Sequence, residues 1–398
     1  MENRQRQRAF SMLAGTASTV LEKFASTVFL PALPAIAAFF AVDRALMQQA
    51  VPVLLLGIAL SQFFWGSVSD HFGPRRVLLV LVPIYFAGTA VAGTASYFWL
   101  FLAGVFLQGF AVGAIFSVSQ ALLVIVNGKK QATRILALIA LVASWASPAG
   151  AVLGGFLVHH LDWPACFAFL GLFVLGLGVL YFVLPAGRTP DQLERIGIAS
   201  FFRGYRGLLG NAGYLGHVLV VAWLNFGQFV FLTVSPFFVI RDQGVSPRDF
   251  GLLMFIPFAG IAFGRFLCAR LDGRLSTESL IYTGGLVALL GGVLLAGLEL
   301  AGLLDEWTLM SGMAVYLVGL GLASPGARAQ AMLAVAGLAG SAGSMMSVLV
   351  NLLGSVGSSL AGHLPTSAFG PLVLAGAACN LLLFRWMQTR VAADEEAR

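Results

Sequence analysis

Residues 99–126 read WLFLAGVFLQGFAVGAIFSVSQALLVIV, a run without one charged side chain. Wound as an α-helix at about 1.5 Å per residue it is about 42 Å long, more than the roughly 30 Å of a bilayer's hydrocarbon core. It gives way to Lys129, Lys130 and Arg134. Eleven further apolar runs of spanning length lie on either side of it. They are 10–39, 46–69, 76–96, 134–158, 165–184, 213–240, 250–271, 279–300, 308–327, 336–361 and 369–390. The expectation is an all-α membrane protein with twelve transmembrane helices, because in lipid every backbone polar group must be satisfied within its own segment.

Composition excludes the soluble alternatives. The chain of 398 residues is 59% hydrophobic and only 10% charged, too few charges to cover a water-facing surface of that size. The 47 glycines would speak against helices in water, but between membrane helices they permit close backbone approach. Glu22 and Lys23 interrupt the first run, which is also too long for a cleavable signal peptide. Cys166, Cys268 and Cys379 share no ligand spacing, and the adjacent His159 and His160 have no carboxylate or thiol neighbours at ligand spacing, so no metal, cofactor or disulfide is expected.

Charge sets the expected orientation. With the N-terminus inside, 19 of the 23 Lys and Arg fall on the inner face, and only Arg44, Arg241 and Arg248 lie outside. Both termini are therefore expected in the cytoplasm, and the net charge of +6 belongs to inner loops rather than to a nucleic-acid surface. The mixed-charge stretch 185–212 reads as a cytoplasmic linker between two six-helix bundles, 1–184 and 213–398. Pro31 and Pro236 sit at matching places in the two halves, a faint internal echo.

Ionisable groups inside a span are functional candidates by default. Glu22 and Lys23 fall near the middle of span one. Glu22 aligns with Ser18 and Ser26, and Lys23 with Thr16, Thr19 and Thr27, so the two rows make a wet face expected to line a central cavity. Neighbouring helix positions diverge by about 100°, so the two charges are not expected to pair. Asn225, Gln228 and Phe229 on span seven, Asn351 on span eleven and Trp145 on span five are further cavity candidates. Arg328, after Pro325 in span ten, either faces the cavity or snorkels to the inner face.

The stretch 66–76, GSVSDHFGPRR, resembles the loop signature G-x-x-x-D-x-x-G-[RK]-[RK] of the major facilitator superfamily, with one residue changed near Pro74. FLPALPAI at 29–36, VSPFFVI at 234–240 and GLASPGARAQAM within 319–351 narrow the resemblance to the Bcr/CflA-like branch of drug/proton antiporters. That resemblance implies the major facilitator fold, a gating role for Gly66, Asp70, Gly73, Arg75 and Arg76, and a latch between halves at Asp70. It also implies export of a drug, siderophore or related metabolite by a monomer in the bacterial inner membrane, with protons as coupling ion. Three family positions differ. Thr27 stands where relatives carry an Asp, Val105 stands where R-x-x-Q-G has its Arg, and Ala151 replaces the Pro of G-P-x-x-G-G. An acid and a base are lost together, and Glu22 becomes the candidate proton carrier.

A phosphate-binding loop GxxxxGK[ST] is absent from the sequence, so transport is expected to draw on an ion gradient rather than on ATP. Convergent catalytic groups are lacking too, so an enzyme is not expected. An importer of a ferri-siderophore, peptide or muropeptide on the same fold is the alternative. One acid and one base inside the membrane favour a zwitterionic or mixed polar substrate.

Overall fold

The computed structural model of the protein describes residues 2–183, 206–335 and 339–396. Within those ranges the side chains at 2–6, 66, 67, 70, 71, 129, 130, 132–134, 137, 339–341, 366 and 390–396 are not described. Twelve helical segments are long and apolar enough to cross a membrane. In chain order, spans one to six are Gln7–Phe39, Arg44–Trp65, Pro74–Gly93, Phe98–Asn127, Leu138–Leu161 and Pro164–Val183. Spans seven to twelve are Ala212–Asp242, Pro247–Leu271, Thr277–Leu300, Glu306–Leu333, Ala342–His363 and Phe369–Thr389. Most of the expected linker, 185–205, lies outside the described residues.

Span one is not the single helix that its apolar run implies. The α-helix Glu2–Thr27 stops, a 3₁₀ turn Leu30–Ala32 follows, and a short helix Leu33–Phe39 completes the span. Pro31 and Pro34 have no N–H to donate and clash with an uninterrupted helix, which accounts for the break. Span seven changes winding at the matching place, where Ala212–Pro236 passes into a π-helical turn Phe237–Asp242. Spans two and three belong to helices Ala50–Phe72 and Pro74–Thr94, joined by Gly73 alone. Its φ of 85° is open to glycine and strained for other residues, and Pro74 then opens the next helix at its first position.

The chain forms two compact units. The first comprises Met1–Asp43, Val53–Phe202 and Ser246–Leu252, the second Arg44–Pro52, Arg203–Val245 and Leu253–Arg398. The division is therefore not a clean cut in chain order, since one short segment of each half packs with the other unit's residues. Within the first unit span one packs on spans four, five and six, and span three on four and six. Within the second, span seven packs on ten, eleven and twelve, and span nine on ten and twelve. The same pattern occurs twice, displaced by six spans.

Glycines set the closest crossings, and they too recur. In the first unit Gly88 and Gly104 face each other, and a Cβ on Gly104 would stand 2.8 Å from the Gly88 carbonyl. In the second, a Cβ on Gly284 would stand 2.8 Å from the Gly319 carbonyl. Both pairs join the third and fourth helices of a bundle. Aromatic packing closes one end of the first unit, where Phe101 meets Phe167 at 5.7 Å and Trp163 at 6.4 Å between ring centroids.

Candidate functional site

Span one is the polar helix of the first unit, and its neighbours decide which polar groups stay open. Ser18, Thr19 and Thr27 are buried, while Glu22, Lys23 and Ser26 are half-buried. The wet face read from the sequence is thus divided. One part is packed against other helices, while Thr16, Glu22, Lys23 and Ser26 keep accessible surface. Thr27 is enclosed because span five crosses it there, with Gly150 directly against its hydroxyl. The hydroxyls of Ser26 and Thr27 donate back to the carbonyls of Glu22 and Lys23 at 3.0 and 2.9 Å.

Glu22 and Lys23 do pair, contrary to the sequence expectation. Lys23 Nζ lies 2.8 Å from Glu22 Oε2. The Cβ directions diverge, but both side chains are long enough for their tips to swing together. The contact is an ion pair rather than an aligned hydrogen bond, since Oε2 is shielded from solvent and has no hydrogen-bond partner. Glu22 is the more enclosed of the two, its side chain 14% exposed against 36% for Lys23. Trp145 on span five is half exposed.

Beneath this pair, spans one and four share a polar seam that sequence reading missed. Gln120 Nε2 donates to Thr19 Oγ1 at 2.9 Å, and Asn127 Nδ2 donates to Ser11 Oγ at 3.0 Å. Gln120 and Asn127 are seven residues apart, two turns on one face, and Ser11 and Thr19 are eight apart on the facing helix. That matched spacing is the signal in the sequence. The amide oxygens of both residues are buried without a hydrogen-bond partner, as is that of Gln108. Each such group costs about 1–3 kcal/mol when its donor is lacking. Ser119 and Tyr181 pair at 2.6 Å and tie span four to span six.

Gln108 belongs to the span-four segment that resembles R-x-x-Q-G. Its amide donates to Tyr85 Oη at 3.2 Å, and Val105, in place of the Arg, is fully buried. An apolar residue suits a position with no carboxylate at Thr27 to pair with. Arg75 turns its guanidinium to the end of span six, donating to the carbonyls of Tyr181 at 3.1 Å and Phe182 at 2.6 Å. Its neighbour Arg76 is exposed. Gly66 and Asp70 lie on the helix Ala50–Phe72, but their side-chain positions, and with them the expected latch, fall outside the described residues.

In the second unit Asn225 and Asn351 each donate to a carbonyl four residues back, at 2.8 Å. Each therefore keeps its amide oxygen available. Phe229 packs against Gly354 of span eleven, and Gln228 is half-buried beside it. Arg328 is exposed and lies within the electrostatic reach of Arg265 on span eight. At one end of the unit Arg44 pairs with Asp242 at 2.8 Å and stacks over Phe237 at 5.5 Å. Among the described residues no cluster of His, Cys, Asp and Glu could hold a metal ion.

Twelve spans, a repeated six-helix pattern and a charged pair inside the first span define a polytopic membrane transporter. The chain belongs to the Major Facilitator Superfamily, whose family model matches residues 16–361. It is 28% identical over 386 residues to multidrug resistance protein D of Escherichia coli strain K12, covering 95% of each chain. It is 24% identical over 383 residues to a bicyclomycin resistance protein homologue of Haemophilus influenzae, 96% of each. It is 28% identical over 317 residues to the multidrug transporter MdfA of Edwardsiella piscicida, 77% of this chain and 76% of that one. These relatives fit the Bcr/CflA-like branch that the motifs indicated. Among solved structures, the partially occluded inward-open xylose transporter XylE of E. coli superposes with a TM-score of 0.73 at 14% identity, over 96% of this chain and 98% of that one. That likeness carries the fold.

Proposed function

We propose that the protein is a secondary active exporter of small organic molecules in a bacterial inner membrane, driven by protons entering in exchange. The observation that carries this reading is Glu22, a carboxylate inside span one with one oxygen enclosed and a lysine alongside. Such a group binds a proton or a cationic substrate group but not both at once, and that competition is what antiport requires. The names of the relatives support a drug or drug-like cargo. Glu22, Lys23, Ser26 and Trp145 serve as the cavity residues of the first unit, and Asn225, Gln228, Phe229, Arg328 and Asn351 as those of the second. Thr27, packed under Gly150, acts as a helix contact rather than a ligand. Gly73 shapes the gating loop, Arg75 braces it on span six, and both termini face the cytoplasm.

The test is directional transport in proteoliposomes under an imposed pH gradient, with ethidium as cationic probe and ciprofloxacin as zwitterionic probe. The expected result is gradient-dependent movement of a probe by the wild type, lost in Glu22→Gln. Transport by Glu22→Gln that keeps its full dependence on the gradient overturns Glu22 as proton carrier. Accumulation driven in the same direction as the protons overturns export.

A further inference from the structure

Along the seam of spans one and four the buried amide oxygens Gln120 Oε1 and Asn127 Oδ1 have no hydrogen-bond donor, and the enclosed Glu22 Oε2 has only its ion pair with Lys23. The two amides are not free to turn over. Thr19 Oγ1 gives its proton to the Gly15 carbonyl at 2.8 Å, so it can only accept from Gln120, whose Nε2 also points at that carbonyl at 3.4 Å. Ser11 Oγ gives its proton to the Arg8 carbonyl at 2.8 Å, so it too can only accept. The second N–H of Asn127 goes to the Leu123 carbonyl at 3.0 Å. Flipping either amide would set oxygen against oxygen, so both amide oxygens are forced to face the seam without a donor.

The three acceptors are in line. Ser11, Gly15, Thr19 and Glu22 recur at intervals of four, four and three on one stripe of span one, about 16 Å long at about 1.5 Å per residue. Buried acceptors of this kind are met by water wherever the site has room and several polar partners. Spans four, five and six are the elements packed on span one. Span four carries no ionisable residue, and span five's helix carries its own only towards its ends, at Lys129, Lys130, Arg134, His159 and His160. Span six has only Cys166 and Tyr181. Among the described residues of these spans, Lys23 is therefore the one charge beside Glu22 at its level. Leu123, with Ile139 beside it, packs on Gly15 between the two amides, and these buried apolar side chains separate them.

We propose that this seam is a hydrated proton path joining the N-terminal side of span one to Glu22, with Gln120 and Asn127 holding its water and Leu123 at its neck. The proposal rests on the antiport reading only for its end point at Glu22. The first test is chemical access. In a Cys166→Ala, Cys268→Ala, Cys379→Ala background, Gln120→Cys and Ser11→Cys are treated in proteoliposomes with 2-aminoethyl methanethiosulfonate from the N-terminal side. Both should react, while Val118→Cys, buried elsewhere on span four, should not. Reaction at Gln120→Cys and Ser11→Cys no faster than at Val118→Cys overturns the path. The second test follows substrate-driven proton movement with a trapped pH dye and ethidium as probe. Gln120→Leu and Asn127→Leu should slow it several-fold with ethidium binding unchanged, and a wild-type rate in both overturns the path. Proton movement that survives Glu22→Gln instead overturns Glu22 as the proton carrier, and cysteine access alone then decides the seam.

Discussion

Gly154 shows how little room span five leaves for span one. A Cβ there would run into the Val28 carbonyl, and one on Gly150 would run into the Thr27 hydroxyl. The first two glycines of the G-x-x-x-G-G stretch thus bring span five against the place where span one's first helix ends. Backbone cannot retreat as a flexible side chain can, so overpacking at Gly154 should cost at least the usual 1–3 kcal/mol or so. Gly154→Val is expected to lose most of its monodisperse, detergent-extracted protein. Gly176→Val, where a Cβ meets nothing within 4 Å, should match the wild type, and equal yields for the two would refute the packing role. The sequence made Glu22 and Lys23 conspicuous because a charge in an apolar run is costly. Their pairing was not legible, because helix geometry fixes where a Cβ points and not where a long side chain ends. Gln120 and Asn127 escaped notice for the opposite reason: an uncharged amide in a span is common, and only its partner on another helix gives it meaning.

At the scale of elements, prolines and caps set where helices break and begin. Pro31 and Pro34 stand where span one breaks, and Pro236 where span seven changes winding. Helix Glu306–Leu333 begins with a capping box, in which Asp305 accepts from the Thr308 N–H at 2.7 Å while Thr308 Oγ1 accepts from the Asp305 N–H at 2.8 Å. The backbone N–H of Thr308, followed by its hydroxyl, holds the Asp305 carboxyl below its ordinary value. A depressed folded value means that the cap contributes in full above the unfolded value of about 3.9, and is lost as pH falls through the folded one. Asp305→Ala should therefore speed amide exchange at Thr308 roughly fivefold at neutral pH, the usual worth of one N-cap. Wild type and variant should converge in strongly acidic solution. A difference that persists there would show that the carboxylate charge is not what caps the helix.

At the scale of the molecule, the span count was legible because hydrophobic length is a property of each segment by itself. The duplication was almost illegible. What repeats is contact geometry, spans three and four crossing at Gly88 and Gly104 as spans nine and ten cross at Gly284 and Gly319. Such crossings need small residues at a few positions and almost any apolar residue elsewhere, so the halves can drift apart in sequence while packing alike. Orientation is a whole-molecule property of another kind, set by summed charge rather than by any contact. The excess of basic residues on one face predicts that alkaline phosphatase inserted after Leu303, between spans nine and ten, is active. The same enzyme inserted after Gly273, between spans eight and nine, or fused after Arg398 should be inactive, because it folds only outside the cytoplasm. The reverse pattern would turn the molecule over. The seam from Ser11 to Glu22 would then open to the outer side, and protons reaching Glu22 along it would enter from the medium instead of leaving to the cytoplasm.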